Sequence, residues 1–289
     1  MSDVAKARPE RVGHLVDSAA FGIVVKPLST WERITNIGGL RKLVLLIIIA
    51  ALWEVYARWL DNALLFPTFS VTVQAFMKAI LSGELPGKAW TSIKILLIGY
   101  STGILCAAVL TVVAITTRIG TELLETLTAM FNPLPAIALL PLALIWFGLG
   151  AGSIVFVVVH SVLWAVALNT HSGFRSVSET IRMVGRNYGL SGLSYVGRIL
   201  IPAAFASILT GLKIGWAFSW RTLIAAELVF GVSSGSGGLG WFIFENKNLL
   251  EIPNVFAGLF SVILIGLLVE NFVFRLIEDN TVRKWGMQR

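Results

Sequence analysis

The sequence predicts an all-α, polytopic membrane protein with six transmembrane helices. Its composition, its apolar runs and the placement of its basic residues all indicate this fold class. Of the 289 residues, 56% are hydrophobic and 13% are charged, and the mean hydropathy is +0.82. Soluble domains contain about a quarter of charged residues. The composition therefore favours a chain that lies largely within lipid.

Six apolar segments are long enough, or nearly so, to cross about 30 Å of hydrocarbon, which takes about 20 residues of helix. Residues 126–174 include no charged side chain, and a glycine-rich turn at 147–153 divides this run into spans three and four. Pro133, Pro135 and Pro141 are expected to interrupt the backbone hydrogen bonds of span three. The predicted spans are 43–60, 95–117, the two halves of 126–174, 203–230 and 255–274.

The basic residues are divided unequally between the two sides of these spans. Sixteen fall on the side that holds both termini and five on the opposite side. Because cytoplasmic loops are enriched in Lys and Arg, both termini are predicted to be cytoplasmic. The sixteen are Lys6, Arg8, Arg11, Lys26, Arg33, Arg41, Lys42, Arg118, Arg175, Arg182, Arg186, Arg198, Arg275, Arg283, Lys284 and Arg289; the five are Arg58, Lys78, Lys88, Lys94 and Lys247.

Two segments on the opposite side have distinct patterns. From Phe69 to Leu81, apolar residues recur at helical spacing, which predicts a short amphipathic helix along the membrane face. Residues 231–240 include five glycines, a pattern that fits a flexible gate, a docking surface for a partner or an irregular connection. Residues 1–40 are predicted to form a cytoplasmic N-terminal segment, and residues 41–289 a transmembrane domain that begins with a retained anchor helix.

A polar, arginine-containing loop separates spans four and five. In it, Gly189 is followed after nine residues by Ile199, and then by Ile201 and Pro202. This spacing resembles the cytoplasmic loop of bacterial ABC-importer permeases of the binding-protein-dependent type. Three further stretches are similar to the nitrate/sulfonate/taurine subfamily, in the same order along the chain: 134–142, 146–150, and 225–227 followed by 238–240.

The resemblance implies a type I importer permease of the bacterial inner membrane that works as a homodimer. It also implies two cytoplasmic ATP-binding subunits, which hold ATP and Mg²⁺, and an extracytoplasmic substrate-binding protein. The expected solute is a small anion such as a sulfonate, taurine, nitrate or a related organic acid. The basic residues are spread along the chain, so no nucleic-acid partner is expected.

In this family the loop forms a coupling helix that docks into a groove on the ATPase subunit, and the resemblance assigns that role to residues 175–198. The family's loop opens with Glu-Ala-Ala where this chain has Met183, Val184 and Gly185, so Glu179 or Arg186 is expected to supply the polar contact. Leu190, Leu193 and either Tyr188 or Tyr195 are expected on the docking face. The residues assigned to coupling are Glu179, Arg182, Arg186, Gly189, Leu190, Leu193, Ile199 and Pro202.

Span five contains three charged residues, Lys213, Arg221 and Glu227, which need a partner or water because charge exposed to lipid is costly. Arg221 is expected either to bind an anionic solute or to pair with a carboxylate, such as Glu227 of the same or the paired chain. The proline-broken backbone of span three is expected to lie inside the protein or beside a cavity. The residues assigned to the translocation path are Asn132, Pro133, Arg221 and Glu227.

Motifs for catalysis are absent from the sequence. It contains no G-x-x-x-x-G-K-[ST] phosphate loop, no H-E-x-x-H and no C-x-x-C, so a transport subunit with no catalytic residue and no metal site is predicted. His160 and His171 are expected to pack or to form hydrogen bonds. The alternative function is an ion-driven secondary carrier, for which Glu227 is the only strong candidate for an ion site.

Overall fold

The computed structural model describes residues 38–230 and 237–286, and the regular elements in these ranges are helical. Residues 1–37, 231–236 and 287–289 lie outside the described residues, so the N-terminal segment and most of the glycine-rich loop stay predictions. In chain order the α-helices are α1 (Gly38–Leu60), α2 (Phe69–Leu81), α3 (Glu84–Thr116), α4 (Arg118–Phe131), α5 (Leu140–Phe147), α6 (Ala151–Ser176), α7 (Glu179–Asn187), α8 (Gly192–Tyr195), α9 (Ile201–Ala203), α10 (Phe205–Phe230), α11 (Leu239–Asn248), α12 (Ile252–Leu268) and α13 (Arg275–Asn280).

The described helices agree with the predicted membrane topology. Four helices are long and apolar enough to cross a membrane: α1, α3, α6 and the continuous stretch Ile252–Asn280. Two bent pairs raise the number to six if each pair is one span: Arg118–Phe131 with Ala136–Phe147, at 88°, and Gly192–Ala203 with Phe205–Val229, at 79°. The prediction of an all-α protein with six spans is confirmed on this count.

Spans two and three differ in detail from the prediction. Helix α4 ends at Phe131 and the chain turns before α5 because Pro133 and Pro135 lack the N–H that would continue the helix. Pro141 lies in the first turn of α5, where no N–H is required, so it does not interrupt a helix. Helix α3 begins at Glu84, well before the predicted start at residue 95, and 33 residues of helix extend about 50 Å.

Helix α6 lies at the centre of the packing, between α3 and α10. On α3, a Cβ added to Gly99 would lie 2.5 Å from Cγ1 of Val158. On α10, a Cβ added to Gly215 would lie 3.3 Å from Cγ2 of Val166. The two G-x-x-x-G pairs, Gly99 with Gly103 and Gly211 with Gly215, therefore let both helices approach α6 closely within one subunit.

Helix α2 has the predicted bounds, and a charged residue of the first span holds its start. The carboxyl group of Glu54 accepts hydrogen bonds from the backbone N and the hydroxyl of Ser70, each at 3.0 Å. A carboxylate at this position is favourable because the first turn of a helix has unpaired N–H groups. Phe69 and Phe76 of α2 pack on Phe260 of α12, so part of the apolar face of α2 is covered by protein.

Candidate functional site

A cavity of about 380 Å³ lies between the break after α4, helix α6 and helix α10. Three of the four residues predicted for the translocation path line it: Asn132 and Pro133 from the break and Arg221 from α10. The proline break thus brings non-helical backbone to the side of a cavity, as expected for broken backbone at membrane depth. Helix α6 contributes His160, Ser161 and Trp164, and α10 contributes Phe218 and Thr222.

Arg221 is the charged residue of the cavity wall. Its Nε donates a hydrogen bond to the carbonyl oxygen of Ala217 at 3.0 Å, and its guanidinium lies 5.2 Å from the ring centroid of Phe218. Within residues 38–230 and 237–286, no carboxylate lies at ion-pair distance from it. A guanidinium has five N–H groups, so most of its donors are left for the cavity.

Two residues of α6 bring buried polar atoms to the same cavity. Both ring nitrogens of His160 and Nε1 of Trp164 are buried without a hydrogen-bond partner in the part of the chain that the structure describes. His160 packs edge-on against Phe131, with ring centroids 6.4 Å apart. Of the two roles predicted for His160, packing or hydrogen bonding, the structure shows packing. Trp164 was missed, because in the sequence it is one more apolar residue of a long span. The hydroxyls of Ser161 and Thr222, by contrast, bond to each other at 2.9 Å.

Glu227 does not line this cavity, in contrast to the prediction. Its side chain is 2% exposed and accepts hydrogen bonds from the hydroxyl of Ser92 and from the backbone N of Gly240, at 2.8 and 2.9 Å. The Ser92 hydroxyl also accepts a bond from Leu239 N at 2.9 Å. A Cβ added to Gly238 would lie 2.3 Å from Oε1 of Glu227. The glutamate therefore anchors the start of α11, and this close approach explains a glycine at position 238.

Lys213, the third charged residue of span five, also has a partner. Its Nζ contacts the carboxylate of Glu278 on α13. The chain after α13 packs on α10 as well: Val282 is 3% exposed, and the rings of Phe205 and Trp285 lie 5.4 Å apart. The three charges of span five therefore have three different environments, and only Arg221 borders the cavity.

Helix α7 in the polar loop is attached firmly to the end of α6. Nε and Nη2 of Arg182 donate to the carbonyl oxygens of Val177 and Phe174, at 3.1 and 2.6 Å. These carbonyls belong to the last turn of α6 and the residue after it, where helix carbonyls have no intrahelical partner. Arg182 thus faces inward and attaches α7 to the end of α6, and its assignment to coupling stays a prediction.

The outer face of the loop is apolar and open. Tyr188 is 81% exposed and Leu193 is 72% exposed, and α7 adds Ile181, Met183 and Val184, which are also exposed. We call these five residues the loop surface. Tyr195, which was predicted as an alternative to Tyr188, packs inward instead, and Leu190 is half-buried.

The remaining residues assigned to coupling divide between the surface and the base of the loop. Glu179 and Arg186 are exposed beside the loop surface. Gly189 has φ +71°, a left-handed conformation that glycine adopts without strain. Ile199 is half-buried, and Pro202 lies in the first turn of α9, before the bend into α10. A partner can therefore reach Glu179, Arg186, Tyr188 and Leu193, whereas Ile199 packs on the inner side of the loop.

Comparison with known proteins shows similarity over most of the chain. Residues 99–285 match the family described as "Binding-protein-dependent transport system inner membrane component". The chain belongs to this family. The permease is 30% identical over 247 residues to a putative ABC transporter permease protein of Methanocaldococcus jannaschii. The matched region covers 83% of this chain and 91% of that protein.

Two further relatives have names that state a solute. A putative aliphatic sulfonates transport permease protein of Escherichia coli K12 is 30% identical to this permease over 77% of this chain and 83% of its own length. A nitrate import permease protein of Synechocystis is 30% identical over 61% of this chain and 62% of its own length. The resemblance to the nitrate/sulfonate/taurine permeases is confirmed.

Family membership settles the general function of the permease. It is a multi-pass inner-membrane subunit of a transporter and not an enzyme, and its partners are an ATPase subunit and a substrate-binding protein.

The structure also gives a reason for the loop's departure from Glu-Ala-Ala. A Cβ at Gly185 would lie 2.9 Å from Cγ1 of Ile199 and 3.0 Å from Cε2 of Tyr195, so an alanine at this position would require these two side chains to shift.

Proposed function

We propose that the permease imports a small anionic solute, a sulfonate, nitrate, taurine or a related organic acid, driven by ATP hydrolysis on its partner subunits. One observation carries the choice of an anion: Arg221 borders the cavity with no carboxylate at ion-pair distance in the described residues. A guanidinium stays charged and binds oxyanions through paired N–H groups. The names of the sulfonate and nitrate relatives support the same class of solute.

In the proposed assembly, two copies of the permease pair in the inner membrane, and two ATP-binding subunits bind below them. ATP and Mg²⁺ bind to those subunits, and the substrate-binding protein delivers the solute from the other side. Both termini, residues 1–40 and the loop of α7 are cytoplasmic in this arrangement. The excess of basic residues on that side of the spans supports this orientation.

The loop surface is the proposed contact with the ATPase subunit. Tyr188 and Leu193 present apolar area, and Glu179 and Arg186 lie beside them for polar contacts. Because Arg182 joins α7 to the end of α6, a push on α7 is transmitted to α6. Helix α6 borders the cavity, so the same movement changes the cavity wall. A movement of the loop is thus linked to a change between two states of the translocation path.

Removal of the charge at residue 221 tests the anion proposal. In the importer purified through a tag on the permease and placed in proteoliposomes, we expect Arg221→Ala to lower uptake of labelled nitrate, taurine or ethanesulfonate about tenfold or more, since a charge-assisted hydrogen bond is lost. Arg118→Ala removes an equal charge from the exposed start of α4 and is the matched control. Normal uptake by an intact Arg221→Ala importer would exclude Arg221 as the anion contact.

The loop surface is tested by co-purification. We expect Leu193→Ser to reduce the ATPase activity that elutes with the tagged permease, because it removes an apolar side chain from the docking face. Leu249→Ser is the matched control, since Leu249 is 65% exposed and lies between α11 and α12, away from the loop. The co-purification is done without the substrate-binding protein. Equal ATPase recovery for the two variants would contradict the proposed contact.

A further inference from the structure

Buried polar atoms without partners are concentrated at one contact in this permease. Among the described residues, six buried side-chain atoms have no hydrogen-bond partner, and four of them lie where α4 meets α6: Oγ1 of Thr128, both ring nitrogens of His160 and Nε1 of Trp164. Native proteins pair nearly all such atoms, because each unpaired one costs folding free energy. An unpaired group that persists beside a cavity is a candidate for contact with a ligand.

His160 and Trp164 are placed to act together. They are four residues apart on α6, so they share one face of the helix, and both line the same cavity as Arg221. The indole N–H is a donor only, and the imidazole carries at least one N–H. With the guanidinium of Arg221, the wall therefore has an excess of donors, while the hydroxyls of Ser161 and Thr222 satisfy each other.

The ring of Phe131 packs against the rings of both His160 and Trp164. It is stacked on Trp164, with centroids 5.5 Å apart and planes inclined by 11°, and it lies edge-on to His160. Phe131 is the last residue of α4, directly before the proline break. A side chain at the end of a helix, next to backbone without helical hydrogen bonds, is suited to move aside when a solute arrives.

We propose that His160 and Trp164 bind the oxygen atoms of the solute's anionic headgroup when Phe131 moves aside, and that Arg221 neutralises its charge. This inference rests on the proposed function and makes it more specific. The solute class is a small oxyanion with several acceptor oxygens, a sulfonate or nitrate, and a cationic solute would leave these donors unpaired. A cavity of about 380 Å³ is within the range of small-molecule sites.

The test is Trp164→Phe, which keeps an aromatic ring and removes only the N–H and part of the ring. In the complete importer in proteoliposomes, we expect uptake of labelled ethanesulfonate or nitrate at saturating concentration to fall about tenfold. The half-saturation concentration should be unchanged, because the binding protein captures the solute before the permease does. His160→Leu should lower the saturated rate in the same way.

Trp220→Phe is the matched control, because Trp220 is equally buried but donates its N–H to the carbonyl oxygen of Val262 at 3.2 Å. We expect it to lower the temperature of unfolding more than Trp164→Phe does, and to leave uptake per folded importer unchanged. Full uptake by Trp164→Phe would overturn the headgroup site. So would a loss of uptake that merely follows an equal loss of stability. If the wild-type importer takes up none of nitrate, taurine and ethanesulfonate, the proposed function itself fails.

Discussion

Two groups of buried polar side chains in this permease differ in how their hydrogen bonds are satisfied. At the start of α11, the carboxyl group of Glu227 is bonded to Ser92 and to the backbone of Gly240, and Ser92 in turn is bonded to the backbone of Leu239. At the contact of α4 with α6, His160 and Trp164 have buried nitrogens with no partner among the described residues. The first group is complete within one chain, and the second is incomplete.

This difference supports a structural role for the first group and is the basis of the ligand-binding role that we propose for the second. A buried polar network with all of its bonds formed makes the local fold more rigid, and Glu227 accordingly holds a helix start. A buried polar group without a bond destabilises the protein unless something else binds it. Sequence alone ranked Glu227 with Arg221 because both are charges within one span. Of the two, only Arg221 lines the cavity with His160 and Trp164.

The largest effect on stability is expected from Glu227→Ala. This change leaves the Ser92 hydroxyl and the Gly240 N–H buried without their acceptor, and we expect it to lower the free energy of unfolding by about 3 kcal/mol. The measurement is unfolding of the purified permease in detergent, followed by circular dichroism. Because the hydrogen bonds of Glu227 are formed within the chain, we expect this loss of stability even in the absence of any solute.

Glu245→Ala is the control for that measurement. Glu245 is partly exposed and its carboxylate lies 3.9 Å from Lys88, so its removal is expected to change stability by less than about 1 kcal/mol. A Glu227→Ala permease as stable as the Glu245→Ala one would remove the distinction between the two groups and would return Glu227 to the candidates for an ion or solute site.

A smaller loss is expected from Gly238→Ala. The added Cβ would lie 2.1 Å from Oγ of Ser92 and 2.3 Å from Oε1 of Glu227, so the network has to shift, at a cost of about 2 kcal/mol. Gly87→Ala is the matched control, because a Cβ at Gly87 in helix α3 meets nothing within 4 Å and alanine favours a helix by about 1 kcal/mol. Thermal unfolding of both variants should therefore shift in opposite directions. A shift of equal sign would mean that the glycine is not needed for the close approach.

Patterns with a short repeat along the chain were predicted well. The bounds of α2 follow from an i, i+3, i+4 spacing of apolar residues, and the six spans follow from the lengths of apolar runs. The proline break of span three was also predicted, since Pro133 and Pro135 cannot donate backbone hydrogen bonds. Its 88° bend was not, because a break permits many angles and the packing against α6 selects one.

Side-chain roles that depend on distant partners were predicted less well. Arg182 was assigned to coupling as a solvated residue of the loop, but it turns inward because the carbonyls at the end of α6 are within its reach. Tyr195 packs inward for a similar reason, since Gly185 leaves room for its ring. Trp164 had no signal in the sequence at all. In each case the deciding contact joins residues whose proximity is created only by the fold.

The sequence by itself determined the fold class, the number of spans, the family and the position of the polar loop, because hydrophobic length, proline placement and motif spacing are properties of neighbouring residues. The tertiary structure decided which polar residues are satisfied and which face the cavity. Glu227 is 135 residues from Ser92 in the chain, and Arg221 lines one cavity with His160 and Trp164 only because α10 packs beside α6. Hydrogen-bond satisfaction is a property of such contacts, and therefore only the folded chain distinguishes an anchor from a binding site.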